Sequence, residues 1–403
     1  MKKIIFLLLA SILLDAKDYT ILVAPPKSEA YSIAKERVIT HQYNAFSNIS
    51  DALVYAAKLL NRGHDDKVTL KISEGVYSGH KGYWKIPPIS NAKASLIISG
   101  GYEKHFKESN AFDTQSILNV TGNHSHSIIQ LEGSRNKLKQ LSISGLIIDA
   151  APSNSYAVDG SLLKYRSRTT PILAFGYLET EALFITDNVL MNSAHMALAP
   201  LIRAANENAY VVIKNNFFVN NVYALKIDAA NFRNRPYRYL LINNTFVSNL
   251  PYNFDTTSST VATVEIASKS SSPSNIIIAN NIFAHNASAA IAPLYKESRM
   301  ANITIHNNNF FNNATLFHQS KQSSGAMIIK DNATGKYINY DIETMKKTFS
   351  YDIANNYALD PKIMLPKTVN QNLATKMPLN VERLFSKNPK LTKLGVRKVL
   401  ATK

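Results

Sequence analysis

VVIKNNFFVNN, residues 211–221, is a unit that the chain repeats. It returns as LLINNTFVSN at 240–249, IIIANNIFAHN at 276–286 and ITIHNNNFFNN at 303–313, with a degraded copy, LFITDNVLMN, at 183–192. The second residue of each polar pair is Asn188, Asn216, Asn244, Asn281 and Asn308, in steps of 28, 28, 37 and 27 residues. Self-similarity at such a period marks stacked structural repeats.

Each copy has a β-rich run, an Asn pair, a large apolar residue, another Asn and then a second apolar run such as Ala224–Ile227. Two or three short strands separated by corners fit this length, whereas a two-helix repeat with so few helix formers does not. Asn suits the corners because it tolerates left-handed backbone and hydrogen-bonds locally. Stacked Asn side chains can also pair amide to amide along a column. Two residues after the second Asn come Leu190, Phe218, Phe246, Phe283 and Phe310, which read as one inward column. The expected fold is all-β: a parallel β-helix solenoid.

With these NNxFxxN coils the chain resembles the right-handed parallel β-helix (pectate-lyase-like) superfamily, over residues 46–361. The resemblance implies the fold. It matches no single enzyme family, since the motif marks corners and core rather than a reaction centre. The same resemblance covers the turns around Gly75–Tyr77 and Gly100–Tyr102 and the Asp360–Pro361 segment.

The ends of the chain differ from the repeat. Two Lys, an eleven-residue apolar stretch (residues 4–14) and Ala16 have the layout of a secretory signal peptide over residues 1–16. The expected location is therefore periplasmic or secreted, with no transmembrane span once the signal is removed. Residues 17–45 read as a lead-in strand and linker. Phe46, Ile49, Leu53, Ala56, Ala57 and Leu60 recur at helical spacing, with Ser47 or Ser50 near the start and Gly63 past the end. This predicts an N-terminal capping helix over the open apolar end of the stack. Residues 342–349 are expected to form a short helix. Residues 362–403 form a basic C-terminal tail, with one amphipathic patch at Val381, Leu384 and Phe385, and are expected to be largely solvated.

The chain has 45 Lys+Arg against 28 Asp+Glu, a formal net charge of +17, and no Cys. Disulfides and thiolate metal sites are excluded. An exported cationic protein concentrates at acidic polysaccharide or another anionic envelope polymer; nucleic acid is not an expected partner, and no cofactor or metal is expected.

Function in such a scaffold belongs to outward side chains of one strand column and its adjacent loops. With Leu225, Ile227, Val264, Ile266, Met196 and Leu198 inward, the outward residues are Lys226, Asp228, Glu265 and His195, the candidate catalytic set. The following loop supplies Arg233, Arg235, Tyr237 and Arg238 as candidate substrate-binding residues. Arg forks onto carboxylates, and Tyr lies against sugar rings. A plainer reading makes the column a salt-bridged outer face worth little. The catalytic patterns of the resembled enzymes do not transfer: an Arg-x-Pro-x-x-Arg signature is off by one around Pro236, and the polygalacturonase and Arg-His-Gly sets are missing. Two functions follow as expectations. One is a binding protein for an anionic glycan. The alternative is a polysaccharide lyase or epimerase acting on uronate glycans, with Lys226 or a loop Arg as the base; an adhesin or assembly role is a third.

Overall fold

The computed structural model describes residues 16–41, 43–79, 83–119, 127–133, 135–151, 155–156, 162–164, 173–174, 178–193, 196–200, 202–227, 238–249, 262–267, 275–294, 302–314, 324–331, 334–365 and 380–398. The architecture is predominantly parallel β, in three long sheets of twelve, eight and nine strands, here called sheets I, II and III. Each repeat supplies one strand to each sheet in turn. Tyr210–Lys214 lies in sheet I, Phe217–Val219 in sheet II and Tyr223–Ile227 in sheet III. The next repeat adds Arg238–Ile242, Thr245–Val247 and Ala262–Ile266 in parallel register beside them. This is compatible with a parallel β-helix.

The polar corners follow from the Asn pairs. Asn215, Asn243, Asn280 and Asn307, the first of each pair, have φ of 58°, 56°, 58° and 54°, in the left-handed region. Gly145 takes the same place in an earlier repeat with φ 70°, and a Cβ there would lie 2.5 Å from the Gly100 carbonyl oxygen. The second Asn of each pair turns inward and is fully buried. Asn216 Nδ2 donates to Asn244 Oδ1 at 3.0 Å and to the Ile185 carbonyl at 2.8 Å, while its Oδ1 accepts from the Asn188 backbone N–H at 3.0 Å. The ladder continues through Asn281 and Asn308 to Asn356. A parallel ladder joins Asn221, Asn249, Asn286 and Asn313. Burying so many amides is tolerable because each finds partners.

Inside, the expected apolar column is present. Leu190, Phe218, Phe246, Phe283 and Phe310 are in register and buried. The Phe218–Phe246 and Phe246–Phe283 rings stack at centroid distances of 4.6 and 4.7 Å.

Helix α1 (Glu29–His41) lies in the segment read as linker, and strand Asp18–Val23 before it pairs with Asn44–Phe46 and Lys67–Ser73 in sheet I. Helix α2 (Ile49–Leu60) is present, capped by the Asn48 side chain rather than by Ser47 or Ser50. Its Ile49, Leu53, Ala56, Ala57 and Leu60 join the main core. Residues 75–78, read as a turn, form a strand of sheet II with Tyr77 buried. Helix α3 (Ile342–Thr348) buries Met345 against the other end of the core. Among the described residues no helix is long and apolar enough to cross a membrane.

The tail departs from the expectation of a solvated segment. Val381, Leu384, Phe385, Leu391, Leu394 and Val396 are buried against the outer face of sheet II. The segment runs back along the first-Asn row: Asn243 Nδ2 donates to the Lys393 carbonyl at 3.1 Å. Asn215 Nδ2 donates to the Arg397 carbonyl at 3.0 Å, and Asn215 Oδ1 accepts the Arg397 N–H at 2.7 Å. In the pairs Asn215–Asn216 and Asn243–Asn244, one member thus joins the internal ladder and the other holds the strap.

Candidate functional site

The alternation of apolar and polar residues in the sheet III strands sets which side chains face out. Leu225 and Ile227 are buried, and Lys226 between them is half-buried. On the neighbouring strand Val264 and Ile266 are buried in register with them, and Glu265 stands directly beside Lys226. The sequence-expected pairing of Lys226 with Glu265 in one column is therefore present. Glu265 differs from the expected exposed carboxylate, being 5 % exposed.

Apolar groups adjoin it. Ala292 follows Glu265 in the column, and Ala262, Ala289, Ala292, Ala314 and Ile328 form a small apolar cluster on this face. Tyr337 packs against the cluster from the antiparallel strand Tyr337–Tyr340. Burial, and secondly the Glu265 charge, push the Tyr337 hydroxyl above the ordinary tyrosine value. A lysine, a carboxylate and a phenol held against apolar ground can bind hydroxyl-rich or carboxylated ligands by charge-assisted hydrogen bonds.

The other candidates divide. His195, Asp228, Arg233, Arg235 and Tyr237 lie outside the described residues. Arg238, read as part of the loop, is instead the exposed first residue of a sheet I strand, its N–H bonded to the Ala209 carbonyl at 3.1 Å. Its neighbour Tyr239 is a core residue at 1 % exposure and cannot serve as a sugar platform. Met196, expected inward, is half-buried and pairs with Tyr223.

Sequence reasoning overlooked a cleft at the N-terminal end, of about 790 Å³, lined by Asn48, Asp51, Tyr83, Trp84, Lys85 and Glu132 among others. Trp84 is the only tryptophan in the chain, and its adjacency to Tyr83 and Lys85 was the available signal. The Lys85 ammonium sits 2.5 Å from Glu132 and 4.9 Å from the Tyr83 ring centroid. Hydrogen bonding to Glu132, then to Tyr83, raises its pKa above the lysine norm. Lys85 also belongs to the outward column of sheet III, since it pairs with Gln130 and through it with Ala174 and Ala199. The cleft and the Lys226–Glu265 pair thus lie on one face of one sheet. Among the described residues no group of three or more His, Asp or Glu side chains is placed to hold a metal ion. Comparison of the chain with protein-family models, with curated proteins and with solved structures yields no match.

Proposed function

We propose that this chain is an exported protein whose repeats form a right-handed parallel β-helix of the pectate-lyase-like kind, capped by α2, and that it binds an acidic polysaccharide or another anionic envelope polymer. The right hand follows from the strong preference for right-handed parallel crossovers. The carrying observation is the cationic excess, +17 in formal charge, on a scaffold that sets Lys226 and Lys85 along one outward column. Such a stack suits a polymer because equivalent positions recur every coil, at about the 4.8 Å spacing of strands.

Co-sedimentation with uronate polymers tests the reading at two salt concentrations. General surface attraction is screened over about 8 Å at physiological salt, whereas forked Arg contacts are short and persist. Changing Arg233, Arg235 and Arg238 to Gln should abolish binding at moderate salt. Changing the exposed Lys387, Lys390 and Lys393 to Gln removes the same formal charge and should reduce it only slightly. Equal losses would discard the Arg site and leave binding by undirected charge. No binding by the wild type would overturn the proposal. Steady growth of ultraviolet absorbance during incubation would replace it with the lyase alternative, in which Lys226 removes the proton beside the uronate carboxylate and Arg neutralises that group.

A further inference from the structure

A buried carboxylate lies where the mature chain is expected to begin. Asp66, just before strand Lys67–Ser73, is 1 % exposed. Its Oδ1 accepts the Lys17 backbone N–H at 3.1 Å, and its Oδ2, also buried, has no hydrogen-bond partner among the described residues. The backbone on both sides is fixed. Lys67 N–H donates to the Lys17 carbonyl at 2.9 Å, and Ser95 N–H donates to the Asp66 carbonyl at 2.9 Å. Lys17 is exposed and borders a cleft of about 450 Å³ that Tyr19, Tyr43, Tyr55 and Arg62 also line.

A peptide nitrogen carries one hydrogen and can satisfy one carboxylate oxygen, whereas a free α-ammonium carries three hydrogens and a full charge. A buried charge that lacks its counterpart is costly. We infer that the chain is cut immediately before Lys17 and that the new Lys17 α-ammonium forms an ion pair with the buried Asp66 carboxylate, strengthening the hold on the first strand of sheet I after processing. In the cut, water adds its oxygen to the Ala16 carbonyl carbon as the C–N bond breaks. The Lys17 nitrogen takes the hydrogen; at neutral pH the amine then binds another proton and the new Ala16 carboxyl releases one. The strand need not move, since the nitrogen already sits at the carboxylate.

This rests on the export reading and not on polymer binding, so its test uses no polymer. The exported protein's N-terminal residue is read by mass spectrometry and should be Lys17. Two purified chains are then compared by thermal unfolding, one beginning at Lys17 and one retaining Asp15 and Ala16 ahead of it. The first should melt higher by roughly 2–5 °C. Asp66→Asn should erase that difference, and Lys17→Ala, which removes the side-chain charge and keeps the α-ammonium, should preserve it. A start at another residue overturns the inference. So do equal melting temperatures of the two wild-type chains, a comparison that needs no substitution to fold.

Discussion

Sheets I and II are built from the same repeats yet meet water differently. Strands of sheet I alternate, with Val211, Ile213, Leu241 and Ile276 buried and Val212, Leu240 and Ile277 half-exposed. Four successive strands of sheet II do not alternate: Val189–Met191, Phe217–Val219, Thr245–Val247 and Ile282–Ala284 are buried at every position. One face of sheet II packs in the stack. The other is covered by residues 380–398, with Phe385 edge-on to Phe217 at 5.1 Å and to Phe112 at 5.6 Å. Continuous apolar triplets in parallel strands mean burial on both faces. The triplets therefore announce a covering segment, and the patch at Val381, Leu384 and Phe385 is its counterpart.

The sharpest way to break the comparison is at the inner face. Phe246→Ala removes the middle of the ring stack and should cost roughly 3–5 kcal/mol in urea unfolding. Val212→Ala on the open face of sheet I should cost well under that, and equal costs would erase the distinction between the two sheets.

The two members of an Asn pair give the next contrast. Asn244→Ala leaves the Asn216 backbone N–H and amide without their acceptor and the Ile213 carbonyl without its donor. About 2–3 kcal/mol should be lost, since each orphaned buried group is expensive. Asn243→Gly keeps the left-handed corner and loses only the bond to the Lys393 carbonyl, so about 1 kcal/mol is expected.

Gly395→Val tests the strap alone. Gly395 has φ 66°, and a Cβ would lie 2.6 Å from Thr245 Oγ1 and 2.7 Å from Ile282 Cδ1. Releasing the strap should cost about 1–3 kcal/mol, with faster proteolysis within 380–398 and new binding of an apolar dye to sheet II. Unchanged proteolysis would show that the strap does not depend on this contact.

The smallest effect is one of pH. Burial holds the His285 imidazole below the ordinary histidine value, opposed by the Asp360 charge. The unfolded chain binds a proton near pH 6.5 that the folded chain resists. Stability is therefore full above that pH and is lost as pH falls through the folded value. His285 has φ 54°, in a corner row where Asn192, Asn220 and Asn312 are also left-handed. His285→Asn should thus fold and flatten the acid side of the stability profile, measured by urea titration between neutral and mildly acidic pH.

Legibility in the sequence follows from separation along the chain. Contacts between equivalent residues of neighbouring coils recur at the repeat period, so the Asn ladder and the column of Phe218, Phe246, Phe283 and Phe310 are written in the spacing itself. The pairing of Lys226 with Glu265 was readable for the same reason, by carrying an inward–outward alternation from one strand to the next. The burial of Glu265 was not, and the apolar cluster beside it draws Ile328 and Tyr337 from the last strands rather than from the repeat. Arg238 was misplaced because a basic, aromatic run reads as loop until its register against Tyr210 is known.

By itself, then, the sequence determined the parallel repeats, their corners, their stacked interior and the helix α2, all of which rest on local pattern repeated at constant spacing. Only the tertiary structure decided that the first Asn of two pairs, Asn215 and Asn243, holds the strap, because a corner Asn side chain facing outward can as well face water. It alone joined Asn215 to Arg397 across 182 residues and Asp66 to Lys17 across 49. Those contacts occur once each, so no period announces them; they form where an apolar sheet face and a buried carboxylate each need a partner that the repeat does not supply.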